Sequence, residues 1–71
     1  LTEVEIHTDT IQLDQFLKLA GAVPSGGMVK ELIAAGAILR NGAVETARRR
    51  KLSVGDVITI EGEDTYCVIR S

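Results

Sequence analysis

Two stretches of this 71-residue chain carry residue types whose spacing could do chemistry. The first is Ser25-Gly26-Gly27, with Lys30 one helical turn later on the same face. Glycines in a first helical turn leave the free N–H groups and the positive dipole end open to an anion. Ser25, Gly26, Gly27 and Lys30 therefore resemble a small phosphate cradle. The same glycines could instead permit close packing against a neighbouring helix. Each costs up to about 1 kcal/mol relative to Ala inside a helix, so one of these roles has to offset it. The spacing is not that of a P-loop, because GxxxxGK[ST] is absent.

The second stretch is Arg48-Arg49-Arg50-Lys51. Four consecutive cations repel one another unless something negative is near, which predicts a loop bulging into solvent. Arg40 lies shortly upstream, so the two could form one continuous patch. A solvated face with no partner is the plainer reading of such a run.

Other chemistry is poorly supplied. Cys67 is the only cysteine and His7 the only histidine, so neither a disulfide nor a metal-ligand set is expected. No nucleophile has a base suggested by the sequence, and no catalytic triad can be composed. The chain reads as non-enzymatic, with no cofactor and no small-molecule substrate. No apolar run approaches a membrane span. The N-terminus alternates acidic and apolar residues rather than running basic then apolar, so no signal peptide is expected. The single cysteine favours a reducing, cytoplasmic setting.

The formal net charge of −2 conceals an uneven distribution. From Lys18 to Lys51 there are seven basic residues against two acids, Glu31 and Glu45, a local charge of +5. Outside that span Arg70 stands against eight acids, a local charge of −7. Asymmetry of this kind favours an anionic partner for the basic span.

The elements that must position these residues follow from periodicity. Thr2 to Thr8 alternates Val4 and Ile6 with Glu3, Glu5 and His7, a half-buried strand with His7 on its polar face. Leu13, Phe16, Leu17 and Ala20 fall on one face of a first helix, with Phe16 a core residue. Asp14 and Lys18 are spaced for an i, i+4 pair on its outer side. Gly21 ends it, and Ala22-Val23-Pro24 connects to a second helix. Ser25 is placed to cap that helix through its hydroxyl. Val29, Leu32 and Ile33 form its apolar face, and Gly36 is its stop.

Asn41-Gly42 between two partly apolar runs is the signal of a two-residue hairpin turn. After the basic run, Leu52 to Asp56 is a turn-rich approach to a strand over Val57 to Ile60. Gly62 to Asp64 turns the chain into a last strand over Thr65 to Ile69, where Cys67 reads as a small buried hydrophobe. The expected fold is α+β: two short helices, arranged like a helix-turn-helix, on a small, mostly antiparallel sheet of about five strands. Residues 1–71 are expected to form one domain. It would bury only about 60% of its unfolded surface and hold a small stability margin.

Several blocks, in order, resemble a known family. Leu13-Asp14-Gln15-Phe16-Leu17, Ser25-Gly26-Gly27, Leu32-Ile33 with Gly36, Asn41-Gly42, and Val54-Gly55-Asp56-Val57 are similar to the RNA-binding domain first seen in the fourth protein of the small ribosomal subunit. The similarity covers about residues 11 to 61. The length, Ser25-Gly26-Gly27 and the run through Lys51 resemble most the small stand-alone bacterial YaaA and YbcJ group. The resemblance implies a helix pair leading into a hairpin (the alpha-L motif), structured RNA as ligand, and a link to ribosome assembly.

Carried over by position, the family's contact surface falls on the start of helix one, the start of helix two and the hairpin. Gln12 stands where many relatives have a basic residue, and Gly26 where many have Arg. Lys18, Lys30, Arg40 and the run Arg48, Arg49, Arg50 and Lys51 are the candidates to supply charge in their place, and Asn41 could add a polar contact. Phe16 and Tyr66 are the only aromatic residues of the Phe, Tyr and Trp class. Recognition would therefore rest on backbone and shape rather than base stacking. The rival expectation is a protein-interaction or assembly domain whose acidic strands bind a basic partner.

Overall fold

The alternation at the N-terminus is realised as strand β1 (Thr2–Ile6), with Val4 and Ile6 buried and Glu3 and Glu5 exposed. The computed structural model describes residues 1–71. A short strand β2 (Thr10–Gln12) leads directly into helix α1 (Leu13–Leu19), and helix α2 spans Gly26–Ala34. Strands β3 (Ile38–Arg40) and β4 (Ala43–Val44) form the hairpin, followed by β5 (Lys51–Ser53), β6 (Val57–Ile60) and β7 (Thr65–Arg70).

Five strands form one sheet in the order β1-β7-β6-β3-β4. Only the β1–β7 pair is parallel; the other three pairings are antiparallel. Both helices supply the core that covers this sheet. Leu13, Phe16 and Leu17 of α1 and Val29 of α2 are fully buried with Ile38, Ile58, Ile60 and Val68 of the strands. Leu32 and Ile33 pack at the margin of the same cluster. The α+β architecture is the expected one.

Helix α2 stops as its sequence predicts. Gly36 takes φ 69°, a left-handed conformation open to glycine at little cost. The Ala37 N–H donates to the Leu32 carbonyl and the Gly36 N–H to the Ile33 carbonyl, each at 3.0 Å. These two bonds satisfy carbonyls that the helix end would leave orphaned. In the hairpin, Asn41 at φ 53° and Gly42 at φ 86° are the two positive-φ positions of the tight turn.

Tertiary contacts override several local expectations. Strands β2 and β5 pair antiparallel as a separate two-stranded sheet, with Gln12 opposite Lys51. The turn-rich reading of residues 52–56 thus gives way at Leu52, which is fully buried in β5. Ser25 sits at the N-cap of α2 but its side chain makes no cap hydrogen bond. Asp14 does not pair with Lys18; its carboxylate accepts the Gln15 N–H instead. Cys67 is half-buried rather than enclosed, because its neighbour Val68 takes the inward face of β7.

Candidate nucleic-acid interface

The basic run is anchored rather than loose. The Leu13 N–H donates to the Arg50 carbonyl at 2.8 Å, and the Asp14 N–H to the Arg48 carbonyl at 3.0 Å. These are N–H groups of the first turn of α1, which lack partners within the helix. The loop therefore caps α1 with its own backbone. The same contacts occupy the amides that an anion would need there, so the start of α1 can offer side chains but not these two N–H groups. Gln12 remains exposed, paired across the ribbon with Lys51. Residues directly opposite in such a pair have Cβ atoms about 5 Å apart.

Glu45 is the one charged residue among the buried set, at 3% exposure. Its Oε1 accepts the Nε–H of Arg40 at 2.9 Å and the Nε–H of Arg50 at 2.9 Å. Its Oε2 accepts the backbone N–H groups of Thr46 and Ala47, each at 2.9 Å. Burial alone would push the carboxyl up. The Arg50 bond, the Ala47 N–H, the Arg40 bond and the Thr46 N–H outweigh it and hold the pKa at about 2, against an ordinary value of 4.5. Arg50 is therefore not one of four equivalent solvated charges, as the run by itself implied. It belongs with Arg40 to an ion-pair cluster around a buried carboxylate.

Arg48, Arg49 and Lys51 differ from Arg50. All three are exposed and none makes a side-chain ion pair. The hairpin, the loop and the start of α1 thus bring together Gln12, Arg40, Arg48, Arg49, Arg50 and Lys51. Glu45 was absent from the sequence-derived candidates. Its signal was its position as the lone acid among these cations, five residues from both Arg40 and Arg50.

Asn41 is used by the fold. Its side-chain amide donates to Asp56 at 3.1 Å, and its carbonyl oxygen accepts the Val57 N–H at 2.9 Å. The turn is thereby clamped to the Val54-Gly55-Asp56-Val57 block.

The start of α2 makes no ion pair with this cluster. Ser25, Gly27 and Lys30 are exposed, Gly26 is half-buried, and no ion pair joins Lys30 to the rest. A Cβ on Gly26 would meet nothing within 4 Å, and one on Gly27 only the Ser25 Oγ at 3.7 Å. Close packing against α1 therefore does not account for the two glycines. No acidic residue occupies the first turn of α2, so its dipole end is uncompensated. Lys18 is exposed on α1 and likewise unpaired. Phe16 is fully buried, and Tyr66 is half-buried with its ring packed against the core.

Comparison with known proteins agrees with the resemblance read from the residues. Residues 4–69 match the S4 domain family. A Bacillus subtilis protein named "Probable ribosome maturation protein RlbA" is 44% identical over 66 residues, covering 93% of each chain. An Escherichia coli protein named "Putative RNA-binding protein YbcJ" is 36% identical over 58 residues, covering 82% of this chain and 83% of its own.

Proposed function

This chain belongs to the S4 domain family, and from that premise we propose that it is a non-catalytic RNA-binding protein of the bacterial cytoplasm that acts in ribosome maturation. Residues 1–71 would work as one S4-like unit on structured, ribosomal RNA. The names of RlbA and YbcJ support the two halves of this reading, maturation and RNA binding, at identities of 44% and 36%.

One observation carries the placement of the RNA. Arg48, Arg49 and Lys51 are exposed, unpaired cations on a segment fixed by backbone hydrogen bonds to α1 and by strand pairing to β2. A segment whose backbone is already fixed offers its cations to successive phosphates without first ordering the chain. Arg40 and Arg50 extend the row toward the hairpin. Lys18, Lys30 and the open first turn at Ser25, Gly26 and Gly27 would meet further phosphates along the helices. With Phe16 buried and Tyr66 half-buried against the core, recognition would rest on the shape and backbone of folded RNA.

Crosslinking in cells followed by sequencing of the bound RNA tests the reading. Enrichment of ribosomal RNA fragments is the expected result. Recovery of no RNA above background would turn attention to β1, an edge strand that exposes Glu3 and Glu5 and could bind a basic protein.

A further inference from the structure

We propose that Glu45 is a positioning residue for RNA: it holds Arg40 and Arg50 side by side so that their free guanidinium edges form one fork for a backbone phosphate. The proposal rests on the RNA-binding reading above and assigns that surface a specific phosphate site. Its geometry is unusual for an ion pair. An arginine commonly presents two parallel N–H groups to the two oxygens of a carboxylate. Here both arginines use only Nε, and both bond the same oxygen, Glu45 Oε1. The two Nε atoms therefore lie within about 6 Å of each other, a separation at which like charges repel unless an anion is shared.

The other carboxylate oxygen is committed to the Thr46 and Ala47 N–H groups. Glu45 thus has four donors, is buried, and cannot swing to follow either arginine. Each guanidinium has five N–H donors and gives one to Glu45. Their terminal nitrogens make no hydrogen bond within the protein. The side chains are 35% and 44% exposed, so neither arginine is closed off from solvent. The trio carries a net charge of +1. A phosphate oxygen pair completes it by accepting from both forks and neutralising the remaining positive charge. Because Arg40 comes from β3 and Arg50 from the loop before β5, the site joins the hairpin to the basic run.

Three proteins titrated with purified ribosomal RNA decide the matter: wild type, Glu45→Gln, and the double variant Arg40→Lys with Arg50→Lys. Charge counting alone expects Glu45→Gln to bind RNA more tightly, since an acid leaves a basic face. The positioning role expects the opposite sign, a loss of about tenfold or more, the scale of a charge-assisted hydrogen bond. The lysine variant keeps every charge and can still pair with Glu45. Lysine has no fork with which to hold Glu45 and a phosphate at once. It should melt close to wild type and bind about tenfold more weakly.

If Glu45→Gln does not fold, the lysine variant decides alone. Wild-type protein that binds, alongside a lysine variant that binds equally well, overturns the fork while leaving RNA binding intact. Tighter binding by a folded Glu45→Gln also overturns it. Wild-type protein that binds no ribosomal RNA removes the RNA reading and the fork together.

Discussion

Glu45 ties one residue to the stability of the molecule through its charge. Its pKa in the fold, about 2, lies below the ordinary 4.5, so folding favours the ionised form. The stabilisation is fully present above pH 4.5 and is lost as the pH falls through about 2. A shift of this size corresponds to about 3 kcal/mol, a large share of what a domain of this length holds. We predict that the urea midpoint of wild type falls steeply between pH 5 and pH 2.5, and that Glu45→Gln loses less over the same interval. Parallel profiles for the two proteins would show that the carboxylate is not held ionised. The same cluster revises what removing Arg50 would do. Read as a solvated cation, it would be replaceable without effect. Bonded to a buried carboxylate, Arg50→Gln should cost about 1–3 kcal/mol, because Glu45 loses one of two charged partners.

At the scale of elements, the hairpin and the head of α2 make opposite predictions. Asn41 and Gly42 both hold positive φ, and Asn41 also accepts the Val57 N–H. Asn41→Ala with Gly42→Val forces side chains into that conformation and removes the clamp on β6. The pair should destabilise the domain by several kcal/mol, roughly 1–3 for each strained position. An unchanged melting temperature would be incompatible with this turn. Gly26, in contrast, has a helical environment with open space where a Cβ would go. Gly26→Ala should therefore raise stability by about 0.5–1 kcal/mol, visible as a rise in melting temperature. Gly27→Glu should also fold, since an acid suits the first turn, and should weaken RNA binding if that turn receives a phosphate. Unaltered RNA affinity in Gly27→Glu would exclude a phosphate there.

Across the whole molecule, the sheet order sets the acids of β1 apart from the hairpin. Strand β1, with Glu3 and Glu5, forms one edge, and the β3–β4 hairpin with Arg40 lies at the other. At the usual spacing of strands the two edges are roughly 15–20 Å apart, more than a Debye length at physiological salt. Glu3 and Glu5 would therefore be largely screened from an RNA bound at the hairpin edge, as we propose, and a net charge of −2 does not forbid such a complex. Binding at the basic edge should show its phosphate contacts in the salt dependence. Each contact contributes a slope of about −0.9 on a log–log plot for duplex nucleic acid. Replacing Arg48, Arg49 and Lys51 with Gln should flatten that slope by roughly two to three and weaken different RNAs about equally. Because none of the three is paired, the melting temperature should move little, within about 0.5 kcal/mol of stability. A variant that keeps the wild-type slope would place the RNA elsewhere on the molecule.

The amino-acid sequence by itself determined what depends on neighbours a few residues apart. The apolar faces of both helices, the stop at Gly36, the Asn41-Gly42 turn and the alternation in β1 are set by backbone sterics and by the periods of helix and strand. The same local patterns, in order, carried the resemblance to the S4 domain. What they could not supply was partners. The pairing of β2 with β5 joins residues about forty apart, and neither three-residue strand has a pattern long enough to be read alone. The bond from Asn41 to Asp56 crosses fifteen residues and turned a turn-former into a clamp. Glu45 stands five residues from each of its arginines, yet the three meet only because the hairpin and the loop after it fold back on one point. A run of four cations looks uniform in sequence. The tertiary structure divides it, because a buried carboxylate must be neutralised by whichever arginine the fold delivers to it, and that residue is Arg50.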